Sequence, residues 1–237
     1  MHTIGYSTGA LARSDVHAAF DLLAYRGTGA VELSALRAHE LSPLLQAVPA
    51  LGLDGFEHVS VHAPSAFTAA QEPAIAAALR PVAGRGWLVI VHPDTLHDLR
   101  LWRPFGEQLC IENMDVRKPV GRTVQELLPL FARLPRASFC FDIAHARQCD
   151  PSMTQAARLL EAFGDRLAEV HVSELDAQSR HVRLTPAGIR ACRTVAGLIP
   201  PEVPAIIEAP VRPHEINAEL QASLRALGRS TAVAAAA

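Results

Sequence analysis

Four residues far apart in the chain, Glu112, Asp142, His171 and Glu208, are of the types that bind zinc, manganese or magnesium. Each stands at the end of, or within, a short β-rich run: Leu109-Cys-Ile-Glu112, Phe139-Cys-Phe-Asp142, Val170-His171-Val-Ser173 and Ala205-Ile-Ile-Glu208. The same event recurs at Val59-Ser-Val-His62 and Leu88-Val-Ile-Val-His92, and His145 follows Asp142 by three residues. Acids and an imidazole at successive strand ends burden a fold unless a cation compensates them, so Glu112, Asp142, His171 and Glu208 are expected to hold a divalent metal. A lone strand-end histidine is ordinarily fixed by hydrogen bonds, so His62 and His92 taken singly weigh evenly between structure and ligation. Glu32, ending another strand, is a candidate substrate contact, with a salt bridge as the ordinary alternative. Arg180 and Arg183 are candidates for a phosphate or carboxylate, with solvation as theirs. Trp87 and Trp102 read as packing residues.

The elements that must position these groups alternate along the chain. Strand-like segments fall near residues 2–6, 29–33, 58–62, 87–92, 108–112, 138–142, 168–172 and 204–208. Amphipathic helical patterns fall at 14–25, 41–50, 69–82, 123–134, 153–163, 185–198 and 214–227, and Pro104 restricts the fourth connection to a helix of a turn or two. Eight strands alternating with helices, and no glycine-rich phosphate loop after the first strand, predict a (β/α)8 TIM barrel over residues 1–230. In that architecture sites lie at the C-terminal strand ends, which is where the polar residues recur. Pro64, Pro93 and Pro210 follow three of the strands and fix loop direction. Residues 231–237, an alanine-rich end, read as a disordered tail.

With 49% hydrophobic residues and a formal charge of −2, the composition is that of a globular protein, and bulk charge gives a nucleic-acid partner no support. The cysteines Cys110, Cys140, Cys149 and Cys192 show no C-x-x-C spacing and read as reduced thiols. No signal peptide or membrane span is apparent, which points to the cytoplasm. Short strand-end loops leave the mouth open, and an oligomer in which a partner subunit covers it is compatible with them.

The strand-end set with D-x-x-H at Asp142 and His145 resembles the xylose isomerase-like TIM barrels, a superfamily of sugar isomerases, epimerases and the endonuclease IV type of apurinic endonuclease. The resemblance covers nearly the whole chain in its order of elements. It implies a metal core of Glu112, Asp142, His171 and Glu208. In the epimerase branch these hold one ion and the two glutamates move protons. In the endonuclease branch they hold one ion of three, and His62 and His92 match the histidine pair that completes a neighbouring ion on the shared glutamate. The third ion of that branch takes the D-x-x-H histidine, here His145, and an Asp-x-His. Here that motif reads Ser179-Arg180-His181, and a neutral hydroxyl is a poorer ligand than the carboxylate it replaces.

Two mechanisms follow. As an isomerase or epimerase of a small sugar, sugar phosphate or related hydroxy-carbonyl compound, the protein would use one ion to stabilise an enediolate. Glu112 and Glu208 would then exchange the carbon-bound proton while His145 orients a substrate oxygen. As a phosphoester hydrolase it would use two or three ions, with His62, His92 and the shared Glu112 adding the second and His145 and His181 contributing to the third. A barrel that binds a ligand without catalysis is a third reading. The sequence ranks the isomerase first, on Ser179 and on the absence of a basic, aromatic DNA-gripping insertion.

Overall fold

Side chains along each of eight short strands alternate between two destinations, and this two-residue period is what assembles the site. The computed structural model describes residues 3–24 and 26–229. Its strands are β1 Ile4–Ser7, β2 Ala30–Ser34, β3 His58–His62, β4 Leu88–Val91, β5 Leu109–Glu112, β6 Ser138–Asp142 and β7 Leu167–Val172. A small hairpin follows, β8 Glu174–Leu175 with β9 His181–Val182, and then β10 Ala205–Ile207. Except for the hairpin, each strand pairs in parallel with its neighbours, and β10 closes on β1 with Ile4 opposite Ala205. The result is the expected (β/α)8 TIM barrel. The proposed 231–237 tail, and the start of the first strand segment at residue 2, lie outside the described residues.

Helices cover the strands on the outside: α1 Thr8–Ala12, α2 Val16–Leu23, α3 Ala38–Ala47, α4 Glu72–Ala83, α5 Leu99–Trp102, α6 Val124–Arg133, α7 Ile143–Cys149, α8 Thr154–Phe163, α9 Pro186–Arg193 and α10 Ile216–Ala226. Local chemistry sets their ends. The Thr123 hydroxyl accepts from the Glu126 amide at the start of α6. After the four-residue α5 the chain tightens into a 3-10 segment, Arg103–Gln108, where Pro104 cannot donate to a continuing helix.

On β6 the odd positions, Phe139 and Phe141, belong to the apolar layer beneath the helices. Phe139 stacks near Phe131 of α6 and Phe163 of α8, at ring separations of 6.2 and 5.4 Å. Burial of each such ring contributes about 1.5–3 kcal/mol. The even positions, Cys140 and Asp142, face the barrel interior, where Cys140 packs with Ile90 and Cys110. The same parity sends Glu112, His171, His62 and Glu32 inward. All four cysteines are free thiols. Among the described residues no helix is long and apolar enough to cross a membrane.

Candidate metal centre

Glu112, on the last residue of β5, is the hub. Its Oε2 lies 3.2 Å from the Nε2 of both His62 and His92, and its Oε1 lies 3.3 Å from the Nδ1 of both His145 and His171. His171 Nδ1 stands 3.4 Å from Glu208 Oε2, which in turn lies 3.6 Å from His181 Nδ1. Of four groups among the described residues able to hold a cation, three surround this hub: His62, His92 and Glu112; Glu112, Asp142, His171 and Glu208; and Asp142, His145 and His181; the fourth, Cys140, Glu169 and His171, lies beneath them. Of the three around the hub, Glu112 belongs to the first two and Asp142 to the last two.

Local folding fixes each donor. Asp142 caps α7: its Oδ1 accepts the His145 amide at 2.7 Å, leaving Oδ2 buried with no hydrogen-bond partner. The D-x-x-H spacing is thus one turn of helix begun by its own acid. Asn113 clamps the ends of β5 and β6, donating Nδ2–H to the Asp142 carbonyl and accepting the Asp142 amide, both at 2.8 Å. Its carbonyl accepts Nδ1–H of His145 at 2.9 Å. His62 donates Nδ1–H to the Ala63 carbonyl at 2.7 Å, which leaves Nε2 free toward Glu112.

The charges are balanced within the cluster. Burial works to raise the Glu112 carboxyl, but the surrounding imidazoles hold it well below the usual carboxylate range. Burial opposes charge on His62 and His145 too, yet the carboxylates around them bring the two to about 9 and about 10. His171 is likewise raised, against its burial, by neighbours that include Glu208 and Glu32. Burial pushes Asp142 well up and His92 and His181 down. The metal-free cluster therefore retains protons where a cation would sit. The fit to a divalent metal rests on the donor set and on Asp142 Oδ2 and Glu208 Oε2, buried acceptors that are left without a partner.

A cavity of about 910 Å3 opens above this cluster, with Glu112, His62, His92, His145, His181 and Glu208 in its wall. Arg13, Arg37, Arg117, Lys118 and Arg180 also line it, and among the described residues no phenylalanine, tyrosine or tryptophan does. Arg180 is held by Asp176 at 2.7 Å.

Two expected substrate contacts are placed differently. Arg183 points away from the mouth and is bound by Glu215 at 2.6 Å and Glu219 at 3.1 Å, because the β8–β9 hairpin turns its side chain toward α10. Glu32 is fully buried below the cavity, 3.2 Å from His171 Nε2, so it faces that histidine rather than the cavity. Ser179 hydrogen-bonds Gln148 at 2.8 Å and supplies no carboxylate to the third group. A carboxylate that sequence reasoning missed, Asp115, has Oδ2 3.9 Å from His145 Nε2, though it is also bound by Arg117.

No protein-family model matches the chain, and no curated protein matches it in sequence. Solved structures do. Endonuclease IV from Thermus thermophilus aligns over 95% of this chain and 99% of that one, at 20% identity and a TM-score of 0.63. A xylose isomerase domain protein from Alicyclobacillus acidocaldarius subsp. acidocaldarius aligns over 95% of each chain, at 16% identity and 0.57. A candidate sugar phosphate isomerase/epimerase from Anabaena variabilis aligns over 93% of this chain and 88% of that one, at 14% identity and 0.52. At such identities the likeness is one of fold. What the chain shares with them is the (β/α)8 TIM-barrel fold.

Proposed function

We propose that the protein is a divalent-metal-dependent phosphoester hydrolase acting on small anionic substrates. The observation that carries this reading is the division of Glu112. One carboxylate oxygen faces His62 and His92 and the other faces His145 and His171, so two abutting donor groups share a single acid. The buried histidine pair, on the far side of Glu112 from His145 and His171, gives a second cation donors of its own. Adjacent divalent ions in such groups supply Lewis acidity at the phosphoryl oxygens and lower the pKa of water.

The chain's own residues do the rest. His62, His92, Asp142, His171 and Glu208 fix the donor geometry, with Glu112 between the two groups. Asn113 and the Asp142 cap hold that geometry rigid, which places charge before substrate arrives. Arg13, Arg37, Arg117, Lys118 and Arg180 line the cavity and offer donors to phosphate oxygens; Arg13 has no salt bridge among the described residues, and the other four pair with Glu40, Asp115, Asp94 and Asp176. The lack of aromatic side chains in that wall, among the described residues, favours a small phosphoester over a stacked nucleic acid strand.

One observation favours the isomerase as the second reading: Glu112 and Glu208 lie in the same four-residue group, as a proton-exchanging pair would. Elemental analysis of the purified protein, combined with hydrolysis of bis-p-nitrophenyl phosphate, separates the two. The hydrolase reading expects at least two ions per chain and turnover that falls at least a hundredfold in His62→Ala and His92→Ala. A single ion, with those variants unimpaired and solvent deuterium entering a sugar substrate, would establish the isomerase instead.

A further inference from the structure

The alternation that brings His171 to the metal centre also buries a second acid two residues earlier. Glu169 on β7 has no solvent exposure and lies below the cavity floor, with both oxygens engaged. Its Oε1 accepts from His171 Nε2 at 3.0 Å, and its Oε2 pairs with Nε2 of His58, the first residue of β3. His58 reaches the opposite mouth of the barrel, where it lines a cavity of about 360 Å3 with Phe56, Trp87 and Pro204. An ionised carboxylate in a barrel interior costs several kcal/mol unless its oxygens are matched, and an aliphatic side chain would fill the space without that penalty. The presence of an acid here therefore calls for a role.

We propose that Glu169, anchored by His58, is a positioning residue of the metal centre: it takes the Nε2–H of His171, so that the ring presents Nδ1 to the cation between Glu112 and Glu208. The distances divide the imidazole in this way. Nδ1 lies 3.3 and 3.4 Å from Glu112 and Glu208, while Nε2 has Glu169 at 3.0 Å and Glu32 at 3.2 Å. Both nitrogens face two carboxylates, but the Nδ1 side opens on the four-donor group of Glu112, Asp142, His171 and Glu208; a cation there takes the place of the Nδ1 proton and leaves the Nε2–H to Glu169. Outer carboxylates of this kind fix the tautomer of a metal-binding histidine and raise its basicity. His58 completes the arrangement by occupying the second oxygen, which holds the Glu169 side chain in one rotamer.

The inference rests on the metal reading of His171, and its test keeps the two apart. Full-length protein stripped of metal is titrated with zinc against a competing chelator, for wild type, Glu169→Gln and His58→Gln. In Glu169→Gln the ion held by Asp142, His171 and Glu208 weakens by about 10- to 100-fold, while the ion held by His62 and His92 changes by less than about threefold. His58→Gln shifts the same ion in the same direction by a smaller factor. In nitrogen-15 spectra of the zinc-loaded wild type, His171 carries its proton on Nε2 and its ligand bond on Nδ1, and Glu169→Gln moves the Nε2–H resonance.

Equal zinc affinity in wild type and Glu169→Gln, with only the melting temperature of the stripped protein lowered, would assign Glu169 a structural role and overturn the inference. So would the loss of one whole ion in Glu169→Gln, because Cys140, Glu169 and His171 are close enough to form a cation group of their own. A wild type that binds no zinc overturns the metal reading itself, a result distinct from either of these.

Discussion

Metal uptake at neutral pH should expel protons, and the structure indicates how many. In the metal-free protein His62 and His145 titrate at about 9 and about 10, so both are protonated at pH 7. His171 is raised well above an ordinary imidazole, and Asp142 well above an ordinary carboxyl. His92 is lowered by burial, and Glu112 lies well below the carboxylate range, so neither has a proton to give. Filling the histidine-pair group displaces the proton of His62, and filling the four-residue group displaces that of His171 and any held by Asp142. Two ions therefore release at least two protons. The assay is calorimetric titration of stripped protein with zinc in buffers of different ionisation enthalpy, where the slope of observed enthalpy against buffer enthalpy counts the protons. The overall affinity for the ion pair should rise about a hundredfold per pH unit near neutrality, and less steeply once pH passes the His62 value of about 9. A slope below one proton for both ions, or an affinity indifferent to pH between about 6.5 and 8.5, would refute the charge assignment.

Because the folded-state pKa values of His62 and His145 lie above the ordinary imidazole value, their contribution to the stripped protein is fully present below pH about 6.5 and is lost as pH rises through 9 to 10. Chemical denaturation across that range should show a fall of several kcal/mol, and a rise would contradict the balance of charges. Ser179→Asp adds a carboxylate to the cavity wall that also holds His145 and His181, and elemental analysis should then find one further ion. Unchanged stoichiometry would show that the Gln148 contact, not the missing acid, limits binding there. Arg13 lines the cavity with no salt bridge among the described residues, so Arg13→Ala should raise KM for an anionic phosphoester about tenfold with little change in kcat, and added salt should shrink the difference. A fall in kcat at constant KM would place Arg13 in the reaction instead.

Much of this is legible in the chain because a two-residue strand period and a helical period are local properties. Phe139, Cys140, Phe141 and Asp142 announce a strand with one apolar face, and Pro104 announces the short α5. The strand-end residues can be gathered because barrel topology brings every C-terminal strand end to one mouth. The misses come from where periodicity stops. Arg183 follows His181 by two residues, but its direction depends on the β8–β9 hairpin and on Glu219, 36 residues later. Glu32 reads as a substrate contact because it falls within a strand's polar end, yet the stagger of the barrel sets it below the cavity. Glu169 and His58 share the parity of His171 and His62, and extending that parity down each strand would have found them. Asp115 sits in a loop whose path no local pattern encodes.

If Glu112 joins two cation-binding groups, anomalous diffraction from crystals grown with manganese or zinc will show two peaks flanking its carboxylate, one bounded by His62 and His92 and the other by Asp142, His171 and Glu208. A single peak with the histidine pair bare, or peaks away from Glu112, would contradict it.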